Sequence, residues 1–536
     1  MNTTWRRTAA LAAGLLLAAG MTGPAAAVPR APGGDPAPGD PAPGDAVPWS
    51  AQPPPATLSP DGAKSADKQE DNLVSPLEQR RQGLHREALT QLMSKKATAR
   101  RDGKGSTVVD LAPDRAAART GGVGTSTHAE VARTRTDKIF VILVDFGDQR
   151  HPNYPDQNTS IFFDGPQRFA GPAANTIPPP NRLTDNTTTW RPTFDRNYFQ
   201  NLYFSHEPGV DSVANYFTAQ STGQYTVDGE VSDWVRVPYN EARYGRSDGY
   251  PCSGHICSNV WALISDALNA WVADQQAKGR SLDDIRAQLA QYDTWDRYDS
   301  NNDGDFNQPD GYLDHFQLVH AGPDQASLSP LYGEDAIWSH RWYENQTDIG
   351  RTGPDRNKLG GAPVGDTGYW VGDYTIQAEN APLGVFTHEY CHDLGLPDEY
   401  DAYGNDASTG YWTLMSAGPY LGRGGVDLGN HPGGLSAWDK LQLGWLNFAV
   451  SYYGEDGTFD VGLPEEPGDL PQALAVVLPE KHVIYQLVRH GDRGGQRRYG
   501  LAYRGRLDHG TRAGQRDHRT LQRLEGRHVR PQRVRG

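Results

Sequence analysis

His388-Glu389-Tyr390-Cys391-His392-Asp393-Leu394-Gly395-Leu396-Pro397-Asp398-Glu399-Tyr400-Asp401 is the stretch from which the rest of the chain is read. On a helix, His388 and His392, four apart, lie one turn apart on one face, so both rings can reach a single metal ion at about 2.0–2.1 Å. Glu389 stands beside the first histidine, where a carboxylate can take a proton from water activated by that ion. By itself His-Glu-x-x-His also arises by chance on a solvated helix face. Here Gly395 can end the helix in a left-handed turn and Pro397 cannot continue it, so the chain doubles back.

That reversal delivers Asp398, ten residues after His388, at a spacing similar to that of the third ligand in metzincins; Glu399 is the alternative. A thermolysin-like site would need a glutamate from a second helix, and no Glu occurs between Glu399 and Glu455. Downstream, Tyr411-Trp412-Thr413-Leu414-Met415-Ser416-Ala417-Gly418 sets Met415 in a Gly-bounded turn, where metzincins carry the methionine turn beneath the metal. A gap-filling core methionine is the plainer reading, but the chain has only four Met, one of them the initiator.

A chain of 536 residues can bury several cores, and its net charge of −15 argues against nucleic acid or an anionic membrane as partner. Residues 1–27 read as an export signal: Arg6 and Arg7, an apolar run from Ala9 to Met21, then Ala25-Ala26-Ala27. The run is too short to span a bilayer and no later stretch is apolar enough, so the expectation is a secreted, extracellular protein without a membrane span. In an oxidising compartment Cys252 and Cys257, bracketing a short loop, are expected to pair; Cys391, inside the metal helix, reads as a small buried apolar residue.

Residues 28–136 open with a Pro/Ala/Gly/Asp linker, then Leu77, Leu84, Leu89, Leu92 and Met93 recur at helical spacing. A helix between a signal and a catalytic domain has the form of a pro-segment acting as inhibitor. No Cys precedes Cys252, so a thiolate cannot cap the metal there and an Asp or Glu is left for that task. Residues 137–448 are assigned to the catalytic domain. Its first strand is Asp137–Asp148, apolar throughout its centre as in a strand buried on both faces. Tyr225–Val231 suggests a hairpin, Asn259–Ala277 and Leu282–Leu289 suggest helices, and Tyr312–His320 a strand. Tyr374–Ala378 is expected to be the sheet edge along which an extended peptide docks, as in zincins. Ser436–Leu446 reads as a closing helix.

Oxygen side chains alternate through Asp299, Asn301, Asp303 and Asp305, with Gly304 sixth and Asp310 twelfth, the spacing of a calcium loop; Pro309 departs from the pattern. A polar turn is the competing account. Residues 449–488 begin a β-rich pattern. It stops at residues 489–536, which hold 14 of the 51 basic residues without apolar periodicity. A shifted reading frame explains the abrupt change better than a basic interaction tail.

His388–Asp401, the turn around Met415, Tyr216–Gly245 with Gly229-Glu230-Val231-Ser232-Asp233-Trp234, and the Asp299 loop together resemble the immune inhibitor A family of secreted bacterial zinc peptidases. The resemblance runs from about Asn72 to Leu487 and implies a pro-segment, a metzincin-like catalytic domain with zinc and calcium, and a C-terminal β-rich region. The fold class expected is α+β: a mixed twisted sheet with the zinc helix, preceded by a helical pro-segment. The activity expected is hydrolysis of peptide bonds in protein or peptide substrates, with Glu389 as base and His388, His392 and Asp398 on zinc. The rival expectation is a secreted binding or adhesin-like module with the same fold.

Overall fold

The computed structural model describes residues 71–487 apart from 74, 112–126, 151–170, 184, 186, 247–253, 328–332, 401–408, 424–427, 467 and 479–483. The expected signal, most of the linker, Cys252 and the basic tail lie outside the described residues.

The first helix, α1 (Pro76–Met93), starts where the sequence provides a start: the Ser75 hydroxyl accepts the Glu78 amide at 3.1 Å and Pro76 has no N–H to waste. Three antiparallel strands follow, β1 (Ala99–Arg101), β2 (Ser106–Leu111) and β3 (Thr127–Arg133). The polar composition hid them. Val109 and Leu111 of β2, with Ala129 and Val131 of β3, alternate inward and close a small core on Ala88 and Leu89 of α1. The expected helical pro-segment is therefore a helix packed on a sheet.

The main sheet grows from β4 (Thr136–Gln149). Its even residues Phe140, Ile142, Val144 and Phe146 face one core and its odd residues Ile139, Val141 and Leu143 the other, so a period of two reads as an unbroken apolar run. One core is closed by α4 (Trp261–Ala277) and α5 (Leu282–Leu289), after α2 (Arg196–Phe204) and α3 (Val213–Gln220) have covered the other.

The remaining strands are β5 (Thr226–Tyr239), β6 (Phe316–His320), β7 (His340–Tyr343), the short pair β8 (Ala362–Pro363) and β9 (Trp370–Val371), and β10 (Asp373–Ala378). The sheet order is β5-β4-β6-β10-β7, parallel except for β7. Two expectations are corrected here. Asp228-Gly229 does not turn a hairpin; β5 runs straight through it beside β4. The glycine is required because an added Cβ would run into the Ile139 carbonyl oxygen. The edge is β7 and not the strand at Tyr374–Ala378, because β10 is paired on both sides.

From β10 the chain enters α6 (Leu383–Leu394), whose end is set by Gly395 at φ 110°, its amide bonding to the Cys391 carbonyl at 3.1 Å. The short α7 (Ala437–Gln442) is capped by Ser436 and Asp439. Beyond it β11 (Phe448–Tyr452), β12 (Ala473–Val477) and β13 (Ile484–Leu487) form a separate three-stranded sheet. Met93 at the end of α1 packs among Ala437, Leu441, Ala473 and Ala475, joining the N-terminal helix to this C-terminal end.

Candidate metal centre

Helix α6 carries His388, Glu389 and His392, all buried. A ring nitrogen facing a carbonyl must carry the hydrogen. His388 Nδ1 therefore donates to the Leu414 carbonyl at 2.9 Å and His392 Nδ1 to the Leu396 carbonyl at 2.7 Å. Both Nε2 lone pairs are then aimed at one point, 3.0 Å apart.

The turn begun at Gly395 brings Asp398 to that point, its Oδ1 lying 3.5 Å from His388 Nε2 and 3.3 Å from His392 Nε2. A fourth donor arrives from in front of α1. Asp71 Oδ1 lies 3.0 Å from His392 Nε2 and its Oδ2 3.6 Å from His388 Nε2. A tetrahedral ion with bonds of about 2.0–2.1 Å spreads its ligands about 3.3 Å apart, so these separations match the edges of one coordination tetrahedron. Among the described residues this is the one set of three or more imidazole and carboxylate donors gathered within 4.8 Å.

The donors fit a zinc ion on a second ground. Asp398 Oδ1 and Glu389 Oε2 are buried without a hydrogen-bond partner, a cost that a bound cation or its water removes. The field agrees. Burial opposes charge on His392, yet the carboxylates of Asp398 and Asp71 outweigh it and push the ring up to about 10. His388 is raised likewise against burial by Asp71 and Asp398. Positive charge is wanted where the lone pairs meet, and a divalent ion supplies it with both rings neutral. Burial and the Asp71 carboxylate push Glu389 well above the usual carboxylate range.

Glu399, the alternative ligand, points elsewhere: it accepts from Ser436 Oγ at 3.2 Å and Thr409 Oγ1 at 3.3 Å. The turn around Met415 acts through its backbone as well as its side chain. The Leu414 carbonyl fixes the His388 tautomer and the Met415 carbonyl accepts the Glu399 amide at 2.7 Å, while Met415 itself is fully buried.

Behind α6 lies a buried charge network that the sequence reading did not reach. Arg297 donates from Nη1 to Asp393 Oδ1 at 2.9 Å and from Nη2 to Asp393 Oδ2 at 3.1 Å. His315 Nδ1 bonds the same carboxylate, and its Nε2 faces Asp137 at 3.4 Å. Asp393, adjacent to His392 on α6, was the available signal.

The Asp299 loop does not gather its carboxylates. Asp299 Oδ1 accepts the amides of Asp303 and Gly304, Asp303 Oδ1 that of Asp305, and Asp305 pairs with Lys104 at 2.9 Å. Asn301 donates to Asp303 at 2.8 Å. Asp310 is half-buried and accepts from the Tyr312 amide at 2.9 Å and from Asn357. Cys257 is disulfide-bonded, with its expected partner Cys252 outside the described residues, and Cys391 is free and buried.

The chain is 32% identical over 303 residues to "Immune inhibitor A" of Bacillus thuringiensis subsp. alesti, covering 54% of this chain and 37% of that protein. It is 33% identical over 325 residues to "Pre-pro-metalloprotease PrtV" of Vibrio cholerae, covering 59% and 30%. A "Putative secreted metallopeptidase" of Arthroderma benhamiae is 22% identical over 291 residues, covering 47% and 36%. The chain thus spans about a third of the length of these relatives. Residues 125–446, which include β4, the sheet and all of α6, match the family described as "Immune inhibitor A peptidase M6, catalytic domain". With more than half its length in that match, the chain belongs to the immune inhibitor A peptidase family.

Proposed function

We propose that this chain is a secreted zinc endopeptidase that hydrolyses peptide bonds of extracellular proteins and is made as a latent precursor. The observation that carries the reading is the arrangement of His388 Nε2, His392 Nε2 and Asp398 Oδ1 at 3.0–3.5 Å from one another, with the unpartnered Glu389 carboxylate beside them. Zinc held by these three side chains would supply Lewis-acid activation of water and of a scissile carbonyl. Glu389 takes the proton of the attacking water and returns it to the leaving amine, and its burial raises its affinity for that proton. The edge strand β7, once residues 71–73 leave it, offers an extended peptide main-chain hydrogen bonds. A non-catalytic binding module would have no use for an orphaned buried carboxylate at this place.

The same reading assigns residues 28–136 to linker and pro-segment, 137–448 to the catalytic domain and 449–488 to the start of a β-rich domain. It pairs Cys252 with Cys257, makes Asp398 the third ligand in preference to Glu399, and gives calcium to the loop of Asp299, Asn301, Asp303, Asp305 and Asp310. Among the described residues no helix is long and apolar enough to cross a membrane. Zinc content and casein cleavage by the processed protein, with and without chelator, test the reading. Metal-free protein that still cleaves, or zinc-loaded protein that never does, would overturn it.

A further inference from the structure

Taking His388, His392 and Asp398 as the zinc seat, we infer that Asp71 is its built-in plug, and that Asp71–Leu73 occupy on β7 the main-chain positions a substrate takes in the working enzyme. Asp71 is set 321 residues before His392 and shares no element with it, yet its carboxylate completes the tetrahedron of donors. The Tyr400 hydroxyl donates to the same carboxylate. With Asp71 on the ion, the position that a substrate carbonyl or an attacking water must use is filled by a side chain of the protein itself.

The backbone on either side of Asp71 explains how the plug is held. Arg341, in the middle of the edge strand β7, donates its amide to the Asp71 carbonyl at 2.8 Å and accepts the Leu73 amide at 2.9 Å. These bonds make a parallel bridge between Asn72 and Arg341. The segment is thus an added strand on the edge that the sheet leaves open. Asn72 Nδ2 donates to the Leu396 carbonyl at 3.2 Å and Arg81 Nη2 to the Leu394 carbonyl at 3.2 Å, so α1 is tied to the last turn of the zinc helix. At its other end the Tyr452 hydroxyl donates to the Met93 carbonyl at 2.9 Å. Clamped at both ends, α1 presents the carboxylate at a high effective concentration. Cutting the chain between this segment and β4 does not remove the plug until α1 itself dissociates.

The test uses the full chain loaded with Co2+ in place of zinc and reads its visible spectrum, without reference to turnover. Asp71→Ala, and the nearly isosteric Asp71→Asn should the first fail to fold, are expected to change the spectrum. They are also expected to let acetohydroxamate bind the cobalt on the order of tenfold more tightly than in the unmodified chain, the scale of losing a tethered competitor. Leu73→Pro, which removes the amide bonded to Arg341 without touching a donor, should shift hydroxamate binding in the same direction by less. Identical spectra and equal hydroxamate binding in all forms would overturn the plug while leaving the zinc seat standing. Cobalt that binds none of them would overturn the zinc seat itself, and the plug with it.

Discussion

Replacing Asp393 with Ala should loosen the metal helix from behind, and the size of the effect follows from the contacts. Asp393 is buried, and it takes two hydrogen bonds from Arg297 and one from His315, both buried as well. Removing one member of a buried ion pair costs about 3–5 kcal/mol, because the partner charge stays behind without compensation. Asp373 remains 3.6 Å from Arg297 Nη1, so the lower end, about 3 kcal/mol, is expected. Urea unfolding followed by tryptophan fluorescence, with chelator present so that metal binding does not contribute, should show the midpoint falling by about 1 M for a slope of about 3 kcal/mol/M. The sign with pH is also fixed. Burial alone would raise Asp393, but Arg297 and His315 hold it well below its ordinary 3.8. Its stabilisation is therefore complete above that value and lost as pH falls below it, so the deficit of the variant should shrink in acid. Pairing Asp393→Leu with Arg297→Met should recover most of the loss. A midpoint unchanged within about 0.2 M in Asp393→Ala would refute the claim that this network holds α6.

Asp398→Ala should lower zinc occupancy as measured by elemental analysis, whereas Glu399→Ala, which loses hydrogen bonds to Ser436 and Thr409, should lower thermal stability with the metal retained; the reverse order of metal loss would move the third ligand to Glu399. Burial pushes Asp293 up to about 7, so its folded form binds a proton more tightly than the unfolded chain. Stability should then decline as pH rises from about 4 to 7, and Asp293→Asn should flatten that slope in a melting-temperature profile. If the Asp299 loop takes calcium, added Ca2+ should raise the melting temperature of the unmodified chain and leave Asp303→Ala unmoved; no shift in the unmodified chain makes the loop a turn held by its own amides.

What the sequence disclosed was local. The spacing of His388 and His392, the left-handed stop at Gly395 and the return to Asp398 all depend on neighbours within one turn and its exit; Gly395 ends α6 and Asp398 lies 3.5 and 3.3 Å from the two imidazoles. The two-sided burial of β4 was legible for the same reason. Features set by distant partners were not. Nothing local distinguishes β10 from an edge strand, because its neighbours β6 and β7 are fixed by sheet order. Asp228-Gly229 carries a turn signature, and the close approach of β4 overrides it. Asp71 shows no periodicity or motif at all; only the fold brings it to the imidazoles. A need for an acidic cap could be argued from the missing cysteine, but its position could not.

We propose that Glu389 is the base of a zinc-dependent hydrolysis. The most direct test is Glu389→Gln, assayed after removal of the N-terminal segment and, in parallel, in the Asp71→Ala background, with zinc content and casein hydrolysis measured on the same samples. The metal donors are untouched and only the proton acceptor is lost, so zinc content should stay that of the parent while turnover falls by about 10²-fold or more. Near-parental turnover at full zinc occupancy would contradict the account.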